Sequence, residues 1–356
     1  MPPFAINGIR IAGVAAAVPV RTEYNNQLPI LGPQEKSEIL HKAGIGVRRV
    51  APAGLCASDL CIVSARRLLA SAGIDGSEIG VLTFVTQTPD YLLPGNSMLA
   101  QQSLGIPAQA LLLDLHQGCA GYIYGLSVIT AMMAAAGRKY GLLLVGDTIT
   151  RLLSRGDRTT LPIFGDAGSA TLLSLSPAAP PLVFHLGADG GGCGAIRVEA
   201  GGSRHPFTEA SMVSAAISPG VRRAPMHMAM EGVNVLNFSL RNVVPNIRAL
   251  MEHCGRSNDD IDQFVLHQAN RILNDSITKR LGIPAEKAPE TLSVFGNTSC
   301  ATIPLTLVYR LGGCLRAGPR KLLLAGFGAG FSWGSALVEM GPCICPDLIE
   351  TDSLHE

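Results

Sequence analysis

Charged and aromatic side chains are both scarce in this chain. Of its 356 residues 15% are Asp, Glu, Lys or Arg and 5% are Phe, Trp or Tyr, with one tryptophan. The charges nearly cancel, to a formal +1, so no strong field draws the protein to nucleic acid or to an anionic membrane surface. No basic run interleaved with aromatics is present, and nucleic-acid binding is not expected. No apolar stretch approaches about 20 residues, the length a helix needs to cross a bilayer. The first residues, Met-Pro-Pro-Phe-Ala-Ile-Asn-Gly-Ile-Arg, lack the charged start and apolar centre of an export signal. Nine cysteines are scattered without that signal, which predicts reduced thiols in a cytoplasm. Cys343-Ile-Cys345 is the only tight pair and has no histidine or cysteine cluster beside it, so no metal is expected.

What the chain does have is apolar bulk. Hydrophobic residues make up 47%, enough at this length for a large core and for two halves. Residues 9–18, 79–86, 111–115, 140–145 and 170–175 read as strands, 111–115 as a buried one. Residues 58–72, 93–104 and the segment after Cys119 have helical spacing. Ser176-Pro-Ala-Ala-Pro-Pro181 is the best internal seam, and the chain is read as halves 1–178 and 179–356. The second half contributes strands at 182–186, 264–266, 321–325 and 335–338 and a long helix at 232–250. Strand and helix alternate in both, which predicts a layered α/β architecture. Gly190-Gly-Gly-Cys-Gly194 and Gly326-x-Gly-x-Gly lack the strand–loop–helix context of a dinucleotide site. The second suits close backbone approach to a reacting group.

The chemistry starts at Cys119. It ends the run Leu111-Leu-Leu-Asp-Leu-His-Gln-Gly-Cys and precedes helical spacing through Tyr122, Leu126 and Ile129. Unpaired N–H groups and the dipole at a helix start favour thiolate, although a cysteine there also serves as a small core residue. His267 closes another strand-like run in Phe264-Val-Leu-His-Gln-Ala-Asn270. Asn297 lies in the glycine turn Phe295-Gly-Asn-Thr-Ser-Cys300. By themselves, a hydrogen-bonded structural histidine and a turn asparagine are the blander readings.

These segments, with the terminal Gly326-Phe-Gly-Ala-Gly-Phe-Ser-Trp-Gly334, resemble the β-ketoacyl-acyl-carrier-protein synthase III family of the thiolase superfamily. The resemblance runs from about residue 8 to about residue 340. It implies a thiolase-like, five-layered αβαβα fold of two related halves. It also implies a homodimeric condensing enzyme that needs no cofactor, with acyl-coenzyme A or acyl-carrier protein and malonyl-carrier protein as substrates. Cys119 would take the acyl group, with the backbone N–H groups of Cys119 and Ala329 as the oxyanion hole. His267 and Asn297 would hold the enolate formed as malonyl-carrier protein loses CO₂, and the product is a β-ketoacyl thioester. His116 is expected in a packing or pocket-wall role, and Asp166 in a structural turn.

The chain departs from that pattern where coenzyme A would bind. Arg158 matches the family's adenine-stacking arginine, but Glu38 stands near the place of the stacking tryptophan. That predicts weak coenzyme A binding or a carrier-protein donor. Leu93 occupies the place of a phenylalanine that shapes the acyl pocket, predicting donors longer than acetyl or branched. Arg271 is the expected carrier-protein docking residue, with a solvated surface arginine as the plain alternative. Two rival functions remain: transfer of the acyl group to an alcohol or amine, giving an ester or amide in specialised metabolism, and a non-catalytic partner subunit.

Overall fold

Two large mixed sheets carry the chain, in a computed structural model that describes residues 2–354. The six-stranded first sheet runs Ile349–Glu350, Ile9–Val18, Ala167–Leu175, Tyr140–Asp147, Ile79–Val85, Leu111–Leu115. The five-stranded second sheet runs Phe4–Ile6, Leu182–Ala188, Ser332–Met340, Arg320–Gly328, Gln263–Leu266. Four consecutive strands in each follow one plan: two antiparallel pairings, then a parallel one. The relatedness of the halves therefore lies in topology, where the residues themselves show no repeat.

Small side chains let the layers close up. Ile9–Val18 ends in Gly-Val-Ala-Ala-Ala-Val and is buried almost throughout, as a strand covered on both faces should be. Ala57–Ala72 covers the outer face of the first sheet. Gly121–Ala136 and Thr302–Ala317 pack against both sheets and form the middle layer. Gly232–His253 and Arg271–Leu281 cover the outer face of the second sheet. The result is five layers, αβαβα. Among the described residues no helix is long and apolar enough to cross a membrane.

Two expectations shift. The helix expected at 93–104 runs from Asn96 to Leu104, because Pro94 cannot donate an N–H and Gly95 takes the N-cap. The strand 111–115, expected to be buried, forms the outer edge of the first sheet and is half exposed. The chain ends also cross over: Phe4–Ile6 pairs with Leu182–Ala188, and Ile349–Glu350 pairs with Ile9–Val18.

A buried ionic knot joins three segments near the site. Arg48 is fully buried and donates to Glu23 (2.9 Å), Asn25 Oδ1 (2.9 Å) and the Phe164 carbonyl (3.1 Å). Arg155 also clasps Glu23. The hydrogen bond from Arg155, aided by the charges of Arg155 and Arg48, holds the Glu23 carboxyl down at about 2. A carboxylate with a depressed folded-state pKa stabilises the fold fully above its ordinary value near 4.5, and this contribution fades as pH falls toward 2. Thermal melts of Glu23→Gln should thus show a lower midpoint at neutral pH and a flatter pH dependence across that window. A mutant whose acid sensitivity matches the parent's would remove Glu23 from the account.

Candidate active site

Two strand ends and a glycine turn deliver the candidate groups. Cys119 follows Leu111–Leu115 by a four-residue step and lies one residue before Ala120, the N-cap of Gly121–Ala136. His267 follows Gln263–Leu266 directly, and its N–H bonds the Ala325 carbonyl at 2.7 Å. The rest of its motif is scaffolding: Gln268 ties the Leu266 carbonyl to the Thr291 N–H, and Asn270 Oδ1 caps Arg271–Leu281 through Leu273 N–H at 2.9 Å. Asn297 is pinned by backbone bonds from its N–H to Ile163 O and from Gly165 N–H to its carbonyl, both 3.0 Å. Gly296 makes that turn possible, since its φ is +69° and a Cβ there would stand 2.8 Å from Ile163 O.

The three groups converge on the N-terminal ends of the two middle-layer helices. A Cβ on Gly121 would meet the Cys300 Cβ at 3.2 Å, so Gly121–Ala136 and the Ser299–Ala301 turn that opens Thr302–Ala317 start side by side. Strand Arg320–Gly328 threads the gap between cysteine and histidine. A Cβ at Gly328 would fall 2.6 Å from Cys119 Cβ and 2.9 Å from its sulfur, so any larger residue would displace the thiol. The neighbouring Phe327 ring meets His267 edge-on, with centroids 5.3 Å apart.

Ser299 and Thr302 tie the asparagine turn to the histidine. The Ser299 N–H bonds Asn297 Oδ1 at 2.9 Å, leaving the amide Nδ2 as the end able to donate. Thr302 Oγ1 lies 2.8 Å from His267 Nδ1 and 3.2 Å from the Ser299 carbonyl. When that hydroxyl donates to Nδ1, the proton of the neutral ring sits on Nε2, the nitrogen left for a substrate. Burial, then the Asp147 charge, push the Cys119 thiol up to about 12, while Ser299 and the backbone N–H groups of Cys119 and Ala329 pull it down. Burial holds His267 near 3, so its imidazole is neutral at physiological pH. Burial thus favours the neutral form of both the Cys119 thiol and the His267 imidazole.

The comparisons fit this geometry. Residues 113–190 match the family model "3-Oxoacyl-[acyl-carrier-protein (ACP)] synthase III", and residues 251–340 match that of its C-terminal region. The β-ketoacyl-[acyl-carrier-protein] synthase III of Nitratidesulfovibrio vulgaris is 34% identical over 92% of this chain and 97% of its own. That of Rhodopirellula baltica is also 34% identical, over 93% and 98%. The 3-oxoacyl-(acyl-carrier protein) synthase structure from Burkholderia xenovorans superposes with a TM-score of 0.92 at 35% identity, covering 98% of this chain and 99% of that one. This chain belongs to the β-ketoacyl-acyl-carrier-protein synthase III family. It is a condensing enzyme of the acyltransferase class, with the thiolase fold.

Within this synthase the remaining expected residues divide. The backbone N–H of Ala329 draws the Cys119 thiol downward. Arg158 is paired with Glu35, so its guanidinium is already engaged. Leu93 is 87% exposed and lies beside the equally exposed Leu92. Arg271 packs over Gly44 at the start of its helix and lies 3.9 Å from Glu290. His116 is exposed, and Asp166 is fully buried, accepting from Ala51 N–H (2.8 Å) and Thr150 N–H (3.0 Å). Neither the Ser299 and Thr302 contacts nor the buried Asp147–Cys300 pair (3.3 Å), whose Asp147 charge acts on Cys119, was anticipated from the sequence. The only available signal was Ser299 in a turn after glycine and asparagine, a setting that tolerates left-handed backbone.

Proposed function

We propose that Cys119, His267 and Asn297 run a two-stage condensation. Cys119 attacks an acyl thioester, and its own N–H and that of Ala329 hold the oxyanion, each such donor being worth about 3 kcal/mol. Malonyl-carrier protein then loses CO₂ while Asn297 Nδ2 and His267 Nε2 stabilise the enolate, which attacks the acyl-cysteine. The observation that carries this reading is that one strand end packs against both thiol and imidazole, Gly328 against the Cys119 sulfur and Phe327 against the His267 ring, while Asn297 lies five residues before Thr302, the residue bonded to His267. The scheme draws on no metal or cofactor.

The finer assignments are part of the same proposal. The halves divide at 178/179, with the two terminal strands exchanged between their sheets. A homodimer is supported by the exposed apolar run Tyr91, Leu92 and Leu93, with Met98 nearby, and by the open edge of Leu111–Leu115. In that dimer Leu93 bounds the partner's acyl pocket, leaving room for donors longer than acetyl. Glu35 holds Arg158, and Glu38 with Lys42 occupies the turn where an adenine would stack, which disfavours coenzyme A. Carrier protein is therefore the donor form and docks near Arg271, and the enzyme works in the cytoplasm.

The test combines intact-protein mass spectrometry with labelled malonyl-carrier protein. Carrier-bound acyl chains longer than acetyl should acylate Cys119 at least about tenfold faster than the coenzyme A forms. CO₂ release should require both acyl donor and malonyl-carrier protein. Acyl transfer to an alcohol or amine without CO₂ release would replace condensation with ester or amide formation. Absence of any adduct would point to a silent subunit. Acetyl-coenzyme A as the best donor would overturn the substrate assignment.

A further inference from the structure

We infer that Asp147 is a positioning residue: its buried carboxylate ties the loop braced against Cys119 to the turn that follows Asn297, and so holds the thiol in register with the imidazole and carboxamide. The inference rests on the reading of Cys119, His267 and Asn297 as the reacting groups and adds a residue outside that set.

Three observations support it. First, Asp147 ends Tyr140–Asp147 inside the first sheet with no exposed surface, and its two oxygens serve two segments. Oδ1 accepts from Thr86 Oγ1 (2.8 Å), Gln87 N–H (2.7 Å) and Thr88 Oγ1 (3.2 Å), in the loop after Ile79–Val85. Oδ2 accepts from the Cys300 thiol at 3.3 Å. These donors are all neutral, and a carboxylate taken out of water on such terms is costly to keep. Second, both segments press on the nucleophile loop. A Cβ on Gly118 would fall 2.5 Å from Gln87 Oε1, and one on Gly121 would fall 3.2 Å from Cys300 Cβ. Those two glycines flank Cys119, so the loop is gripped from both sides by what Asp147 binds. Third, Cys300 lies in the turn Ser299–Ala301, between the Ser299 N–H that bonds Asn297 Oδ1 and the Thr302 hydroxyl 2.8 Å from His267 Nδ1.

One side chain of the first sheet therefore reaches the supports of both reacting partners. Condensation must bring a carbon held at Asn297 and His267 onto a carbon held by Cys119. A misplacement of about 1 Å at such a meeting costs about 100-fold. Acylation and decarboxylation, in the scheme above, each use one side of it.

Three substitutions in the full-length enzyme test this. Asp147→Ala cuts both arms; Asp147→Asn keeps an oxygen for Gln87 and Thr86; Cys300→Ala cuts only the arm to the turn. With a carbon-labelled malonyl-carrier protein and a carrier-bound acyl donor, β-ketoacyl product should fall about 100-fold in Asp147→Ala and about tenfold in the other two. In those two, Cys119 acylation and CO₂ release should be no more than about threefold slower than in the parent, and KM for malonyl-carrier protein should stay within about twofold. CO₂ would then be lost without a new carbon–carbon bond, an uncoupling that general loss of stability does not produce. Crystal structures of Asp147→Asn and Cys300→Ala should show the Cys119 sulfur displaced from His267 Nε2 by at least about 0.5 Å relative to the parent. Parental product yield in both, or product, acylation and CO₂ release falling in step, would overturn the inference. A parent enzyme that acylates Cys119 without forming product would count against the condensing scheme instead; the two crystal structures then decide for Asp147, and an unmoved sulfur would overturn its role.

Discussion

Replacing Cys119 with serine is expected to abolish the acyl adduct and to lower condensation by at least about 10⁴-fold, the scale seen when a covalent nucleophile is lost. The oxygen is smaller than sulfur, so the variant fits the narrow space against Gly328 and should fold with stability within about 1 kcal/mol of the parent. A hydroxyl ionises far less readily than a thiol, and the neutral His267 beside it is a feeble base at its depressed pKa near 3. The oxyanion donors at residues 119 and 329 remain, so slow decarboxylation of malonyl-carrier protein without condensation should survive through His267 and Asn297. Mass spectrometry and labelled CO₂ release check the two halves separately. An undiminished adduct in Cys119→Ser would transfer the nucleophile's role to another residue.

Arg48→Met should be the most damaging change outside the site. The side chain is completely buried, and its loss leaves Asn25 Oδ1 and the Phe164 carbonyl without this donor and takes from Glu23 its buried cationic partner, with Arg155 remaining. Breaking a buried charge pair on one side costs about 3–5 kcal/mol. In a chain of this size that is a fall of roughly 5–10 °C in melting temperature. The effect should reach the chemistry, because Phe164 pairs with Asn297 across a backbone bridge and Gly165 holds the Asn297 carbonyl. Condensation should decline more than acylation, since the amide serves only the enolate step. Arg48→Lys should rescue little, as a single ammonium cannot reach three acceptors in the fixed geometry of a guanidinium fork. A melting temperature unchanged in Arg48→Met would mean that the knot contributes nothing.

The proposed trio was legible because each member follows a strand or occupies a glycine turn, positions that leave a signature in residue order. Cys119, His267 and Asn297 all lie where that signature pointed, and Gly328 approaches the thiol as the terminal glycine run implied. Ser299 was not legible in the same way: a left-handed serine writes nothing distinctive into a sequence. The Arg48–Glu23 knot is hidden for the same reason, since arginine and glutamate read as solvated until the fold buries them. Leu111–Leu115 misled in the other direction. Five residues rich in leucine look like a core strand, yet the sheet ends there. The twofold topology left no trace in the residues because layered packing asks only for apolar volume at each strand, which many unrelated sequences supply.

The crossed termini carry a consequence for how the molecule is born. Residues 4–6 have no sheet to join until residues 182–188 exist, and the first sheet waits for residues 349–350 to gain its last edge. Neither lobe is closed by its own half, and each is finished by a ribbon borrowed from the other. Cleaving the chain at the proline seam should therefore give two fragments that stay clasped together, while trimming either tail would leave the opposite lobe, not its own, with a frayed border.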